Sequence, residues 1–191
     1  MPINQRHTVE DTSFKEKGYK YVKDLIDTTN YRKLMNRLEE MGKGRHDPQV
    51  PGSLGFYKEP FFEKLLEHLL PEIEKHSGYK LYKTYSYARQ YHLGEELTIH
   101  RDRHACEVTV SLCLGNEGEP WPIWLRDREK NKHSFALEPG DAFIFKGVEL
   151  PHWREVNTFG PCSQAFLHYV DQEGPYADEK DDMNRKSHQG Y

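Results

Sequence analysis

Residues 81–114 read LYKTYSYARQYHLGEELTIHRDRHACEVTVSLCL, and within them the side-chain pattern repeats every second position. Tyr85, Tyr87, Arg89 and Tyr91 fall on one face of an extended chain, as do Val108, Val110, Leu112 and Leu114. Glu107, Thr109, Ser111 and Cys113 take the face opposite the aliphatic row, which makes it either an inner wall with room for a small molecule or an exposed sheet face. Short runs of the same kind continue downstream as WPIWLRD (121–127), HSFAL (133–137), DAFIFKG (141–147), HWREV (152–156) and SQAFLHYV (163–170). About eight short strands punctuated by turn residues fit a jelly roll better than an α/β fold. The expected fold class is mainly β, a double-sheet barrel buttressed by N-terminal helices.

Upstream of this block the period changes. In residues 30–41 Leu34, Leu38 and Met41 share a helical face, with Asn30 placed to cap the start and Gly42 and Gly44 beyond the end. EPFFEKLLEHLLPEIEKHSG (59–78) carries Phe62, Leu65, Leu66, Leu69 and Ile73 as an apolar stripe, with Pro71 expected to kink or restart the helix. HDPQVPGSLGFY (46–57), with two prolines and two glycines, reads as an ordered loop or a short extended piece lying over the core. Residues 172–191 are polar and almost free of aliphatic side chains, the composition of a mobile tail. One domain over 1–171 is expected, with helical support over about 1–80, a core over about 81–171, and a polar tail over 172–191.

The 27 basic against 31 acidic residues give a formal charge of −4, which argues against a nucleic acid or an anionic membrane as the main partner. No apolar stretch reaches the length of a membrane helix, and the first residues lack a secretory core, so a cytoplasmic protein is expected. Its three cysteines, Cys106, Cys113 and Cys162, cannot all pair within the chain and read as reduced, buried thiols.

Chemistry concentrates at His100, Asp102 and His152. His100 and Asp102 stand one residue apart at a strand end, so both can reach one ion, and His152 follows the DAFIFKG strand after a short bend. Two imidazoles and one carboxylate on one side of a metal leave its other positions open, as in non-haem Fe(II) oxygenases. The order Tyr91-x-x-Gly94, His100-x-Asp102, Pro139-Gly140-Asp141-Ala142 and His152 resembles the prolyl-4-hydroxylase-like branch of the Fe(II)/2-oxoglutarate-dependent dioxygenases, over about residues 80–171. That resemblance implies a double-stranded β-helix and an enzyme with Fe(II), 2-oxoglutarate and O2, ascorbate being an optional addition. It further implies that His100, Asp102 and His152 ligate iron and act in catalysis, and that Tyr91 binds the far carboxylate of 2-oxoglutarate. Asp102 favours hydroxylation over halogenation, because halogenating relatives carry a small residue at that place. The substrate class implied is a small amino-acid-like molecule or a peptidyl side chain; oligomeric state is left open.

One element of the pattern is missing. Relatives place a cation in the strand after the distal histidine, where this chain has Pro161, Cys162, Ser163 and Gln164. A dicarboxylate out of water needs a cationic or richly donating partner. Arg89, inward with Tyr91 by parity, and Arg154, inward with His152, are the two candidates to bind it. Both could instead pair with surface carboxylates or hold a substrate carboxylate, leaving room for a 2-oxoglutarate-independent iron oxygenase or a non-catalytic jelly-roll metal-binding module. Arg103 reads as a surface salt bridge, as a residue that orients the Asp102 carboxylate from behind, or as a substrate contact, and His168 as a hydrogen-bonded structural histidine. His92 and His104 have no ligand spacing. Trp121, Trp124 and Trp153 divide between core and substrate mouth, and QVPGSLGFY (49–57) and NEGEPWPIW (116–124) are the candidate lids.

Overall fold

The structure, a computed structural model, describes residues 13–41, 45–47 and 49–185. In chain order its elements are α1 Ser13–Lys17, β1 Tyr19–Val22, α2 Thr28–Met41, β2 Arg45–Asp47, β3 Val50–Tyr57 and α3 Pro60–Ser77. The barrel strands follow: β4 Leu81–Tyr91, β5 Leu97–His100, β6 Val108–Asn116, β7 Ile123–Arg126, β8 Lys132–Phe135, β9 Ala142–Lys146, β10 His152–Arg154 and β11 Cys162–Asp171. Short 3₁₀ turns occupy His104–Cys106 and Ala177–Asp182. The large sheet runs β1-β9-β6-β11-β4-β3-β2 and the small sheet β5-β10-β7-β8, with every pairing among the described residues antiparallel. The fold is a jelly roll, and all eight strands read from the alternation are present.

Parity sorts the large sheet into two faces. Val108, Val110, Leu112 and Leu114 of β6, Ala142 and Ile144 of β9, and Ala165, Leu167 and Tyr169 of β11 pack against Leu34 and Leu38 of α2 and Phe62, Leu66, Leu69 and Ile73 of α3. Thr109, Ser111 and Cys113 therefore point between the sheets: the polar face of β6 is the inner wall, the first of the two readings. The cysteines are free and buried, with Cys106 in a 3₁₀ turn and not in a strand. Among the described residues no helix is long and apolar enough to cross a membrane.

Several expectations change at the periphery. α2 begins before Asn30, and the carboxylate that accepts its free backbone N–H (2.8 Å) is Asp27, an acceptor three residues upstream being the usual cap geometry. α3 runs through Pro71 as one element from an N-cap at Glu59, which accepts from Phe61 and Phe62, to Gly78 at φ 72°. The segment over the core is a strand: β3 pairs with β4, and Gly55 is required there because a Cβ would collide with the Tyr87 ring and hydroxyl. β1 was not anticipated; it closes the other edge of the sheet on β9.

The stretch after β11 is the main correction. Residues 172–185 do not trail away but pack on β4 and β11, with Asp182 buried under two ionic or hydrogen-bonded contacts to Arg103 and Tyr57. Charge-rich composition misled because that charge has buried partners on the barrel.

Gly140, in the turn before β9, has φ +96°, and a Cβ there would lie 2.8 Å from the Ile26 carbonyl oxygen. Gly140→Ala is expected to cost about 2 kcal/mol, a fall in melting temperature of roughly 4–8 °C for a domain of this size, measurable by thermal denaturation.

Candidate active site

His100 ends β5, and His152 opens β10 directly opposite it, the two being register partners in the small sheet. Their rings come to 4.3 Å between centroids. Asp102 sits in the turn that leaves β5, fixed by its N–H donating to the Gly147 carbonyl (2.9 Å). Its Oδ1 lies 3.5 Å from His100 Nε2 and 3.4 Å from His152 Nε2. The donor atoms of the three residues all fall within 4.8 Å of one another.

Each imidazole is oriented from behind. Nδ1 of His100 lies 2.8 Å from the Thr98 carbonyl and Nδ1 of His152 lies 2.9 Å from the Leu150 carbonyl, so Nδ1–H donates in both and Nε2 presents its lone pair. The Thr109 hydroxyl donates to Asp102 Oδ2 (2.9 Å), and Gly147 leaves space for that oxygen, since a Cβ there would collide with it. Burial opposes ionisation of Asp102, but the facing His152 and the His100 contact outweigh it and hold the carboxyl well below the usual range. The reciprocal effect raises His152, where the attraction of Asp102 overcomes burial. An ionised carboxylate between two directed imidazole nitrogens is a donor set for a divalent first-row metal.

A second set, Asp102, Cys106 and His168, also brings its donor atoms within 4.8 Å. It is the poorer site. Cys106 Sγ lies 3.1 Å from the Tyr85 hydroxyl, and burial together with nearby Asp102 pushes the thiol well up, keeping it protonated. His168 Nδ1 is engaged 3.1 Å from the Thr109 hydroxyl, in keeping with the structural role expected for it.

The triad opens into a cavity of about 140 Å³ between the sheets, lined further in by Arg89 and Tyr91. Arg89 Nη1 donates to the Tyr91 hydroxyl (3.1 Å), which leaves the phenolic proton free to point elsewhere. The guanidinium lies 5.2 Å from both the Tyr87 and Tyr91 ring centroids. Gln164, in the strand that lacks a cation, is the register partner of Arg89 on β4. Arg154 takes a different place. It is 1% exposed, stacked on Trp121 at 5.0 Å and Tyr91 at 5.9 Å, and its Nη1 donates to the Trp121 carbonyl. Its Nε and Nη2 have no hydrogen-bond partner, and it does not line the cavity.

Other expectations sort clearly. Trp121 is core, while Trp124 and Trp153 stack on each other at 6.0 Å with ring planes 14° apart; none of the three lines the cavity. Of the two candidate lids, QVPGSLGFY is sheet and contributes Gln49 and Tyr57 to the wall, and NEGEPWPIW contributes only Ile123. Arg103 is no surface ion pair: it grips Asp182 with two nitrogens, 2.5 and 2.7 Å. Asp182, Thr109 and Gly147 were not picked out as site residues. Parity on β6 could have flagged Thr109; nothing local marks Asp182, 79 residues from its partner.

No protein-family model matches the chain, and no curated protein matches it in sequence. Solved structures do match in fold. A Pseudomonas putida prolyl-4-hydroxylase superposes with TM-score 0.66 at 14% identity, covering 83% of this chain and 95% of that one. HygX from Streptomyces hygroscopicus, with nickel and 2-oxoglutarate bound, gives 0.68 at 13% identity over 84% and 85%. A Trichoplax adhaerens prolyl hydroxylase, in complex with a hypoxia inducible factor peptide fragment, gives 0.67 at 12% identity over 84% and 86%. The fold is therefore that of the 2-oxoglutarate/Fe(II) oxygenases, prolyl hydroxylases among them.

His168 offers a pH test of this interior. Burial pushes it down to about 4, so the folded protein binds its proton less readily than the unfolded chain. Its contribution to stability is complete above about pH 6.5 and is lost as the pH falls toward 4, amounting to roughly 3 kcal/mol. In denaturant titrations wild type is expected to lose about that much more than His168→Gln across this window.

Proposed function

We propose that this chain is a non-haem Fe(II)- and 2-oxoglutarate-dependent dioxygenase that hydroxylates an unactivated C–H bond of a small amino-acid-like or peptidyl substrate. Succinate and CO2 are the co-products, and the setting is the cytoplasm, where its thiols stay reduced. The observation that carries this is the convergence of His100, Asp102 and His152, with both Nδ1 atoms tied to carbonyls and both Nε2 atoms directed at one point. These three would hold the iron. Bound there with 2-oxoglutarate and O2, the metal supplies an oxidant strong enough to take hydrogen from an unactivated carbon.

The rest of the work falls to this chain's own side chains. Thr109 and Gly147 fix the Asp102 carboxylate so that one oxygen faces the histidines and the other is spent on the hydroxyl. Arg89 and Tyr91 receive the far carboxylate of 2-oxoglutarate, since both line the cavity and the hydrogen bond between them leaves the Tyr91 proton to donate. Arg154 stands behind Tyr91 and adds positive potential at that end without lining the cavity. Phe145, 4.6 Å from the His152 ring, forms the apolar part of the wall with Leu97, Ile123 and Phe166, and these side chains keep water from the reacting face. Among the fold neighbours, one was solved in complex with a peptide fragment and HygX with hygromycin B bound, so the fold admits both a peptide and a small molecule.

Succinate formed from 2-oxoglutarate on adding Fe(II) in air is the direct assay. His100→Ala is expected to abolish iron binding and succinate release. Arg89→Ala should raise the 2-oxoglutarate concentration for half-maximal rate at least tenfold, as befits loss of a charged hydrogen bond worth about 1.5–3 kcal/mol. Arg154→Met should raise it less. A larger effect at Arg154 would transfer the anchor to that residue, and no change at either would rule out both arginines as the anchor.

A further inference from the structure

The turn that follows β11 sets a buried carboxylate against two residues of the cavity wall, Arg103 and Tyr57. Asp182 accepts two hydrogen bonds from Arg103, at 2.5 and 2.7 Å, and a third from the Tyr57 hydroxyl. Its side chain is wholly buried. Arg185 lies 3.7 Å over the Tyr57 ring, with its Nη1 3.9 Å from Asp182 Oδ2, and Arg103 lies 4.5 Å over the Tyr85 ring. Arg103, Arg185, Tyr57 and Tyr85 all line the cavity that holds the triad, and Arg103 is the residue next to Asp102.

Two further observations bear on this arrangement. Asp181 and Asp182 both hold left-handed backbone conformations, φ 56° and 57°, in succession and without glycine. Such geometry persists only where surrounding contacts enforce it, and it concentrates at functional sites. Here the contacts are the Arg103 clamp and Lys58 Nζ donating to the Asp181 carbonyl (2.8 Å). The charge of the wall points the same way: it includes Arg89, Arg101, Arg103 and Arg185, and among the described lining residues Asp102 is its one carboxylate. A mouth of that composition favours an anion.

We propose that Arg103 and the Tyr57 hydroxyl form the seat for a carboxylate of the substrate, and that Asp182 occupies this seat from within until the substrate displaces it. The inference rests on the oxygenase reading for its relevance and narrows the substrate to a carboxylate-bearing molecule. Bidentate pairing of a guanidinium with a carboxylate gives the seat its directionality, and the place of Arg103 beside Asp102 ties the anion to the reacting centre.

The test follows the arginine Nε–H signals of the full-length protein by NMR during titration with acetate, using wild type and Asp182→Asn. In Asp182→Asn a saturable shift of the Arg103 signal is expected, at least tenfold weaker in wild type, and with no saturable shift of the Arg101 or Arg185 signals in Asp182→Asn/Arg103→Met, the Arg89 signal being read separately as the report of the proposed 2-oxoglutarate site. No saturable shift in Asp182→Asn, or the same midpoint in wild type, overturns the proposal. Should the variant fail to fold, wild type alone decides: trypsin cleavage after Lys180 should be faster in acetate than in chloride at equal ionic strength, and equal rates overturn the seat. Succinate release, run in parallel, separates the two readings. Persistent release without an acetate shift removes the seat only; an acetate shift with no release in wild type removes the oxygenase reading and leaves an anion site.

Discussion

Everything in the interior depends on keeping the Asp102 carboxylate ionised and aimed while it is partly withdrawn from water. Alone, such a group would take up a proton. It does not because two imidazole nitrogens stand about equally far from one of its oxygens and a threonine hydroxyl serves the other. The jelly roll supplies that arrangement through strand ends. β5 and β10 are neighbours in the small sheet with His100 opposite His152, and the turn after β5 is pinned to the loop after β9 by the Asp102 N–H to Gly147 bond. A side chain at Gly147 would occupy the space of the carboxylate oxygen, so the motif is set by a residue far from it in sequence.

The second constraint is the charge at the closed end of the cavity. The strand after the distal histidine presents Cys162, Ser163 and Gln164, yet the neighbouring strand carries Arg89 directly beside Gln164. In a sheet, moving a side chain to the paired residue of the next strand displaces it by only about 5 Å, well within the reach of a guanidinium. The cavity wall thus carries a cation on the strand beside the one that lacks it. Arg154 is a different kind of charge, buried with two nitrogens unanswered by hydrogen bonds and packed against Tyr91 and Trp121.

Much of this was legible in the sequence because strands announce themselves by alternation. From Leu81 onward every run with that period became a strand, and parity placed Arg89 with Tyr91 in one wall and Thr109, Ser111 and Cys113 in another. What failed was local or long-range. Tyr19–Val22 is too short to show a period, and Val50–Tyr57 hides its own behind Pro51, Gly52 and Gly55. Asn30 looked like a cap only because Asp27 lay outside the apolar repeat. The seat of Asp182 on Arg103 had no signature at all: a charged, aliphatic-poor segment reads as solvated until its buried partner is known. Contacts that span the chain, and not the alternation within a strand, shape the mouth of the cavity.

The central claim is that this cavity brings iron and 2-oxoglutarate together, and anaerobic titration of the Fe(II)-loaded protein with 2-oxoglutarate tests it without knowledge of the substrate. Bidentate chelation of the metal by the keto acid produces a weak visible charge-transfer band. The band is expected to grow and saturate as 2-oxoglutarate is added. Iron demonstrably bound with no band at any 2-oxoglutarate concentration would contradict it.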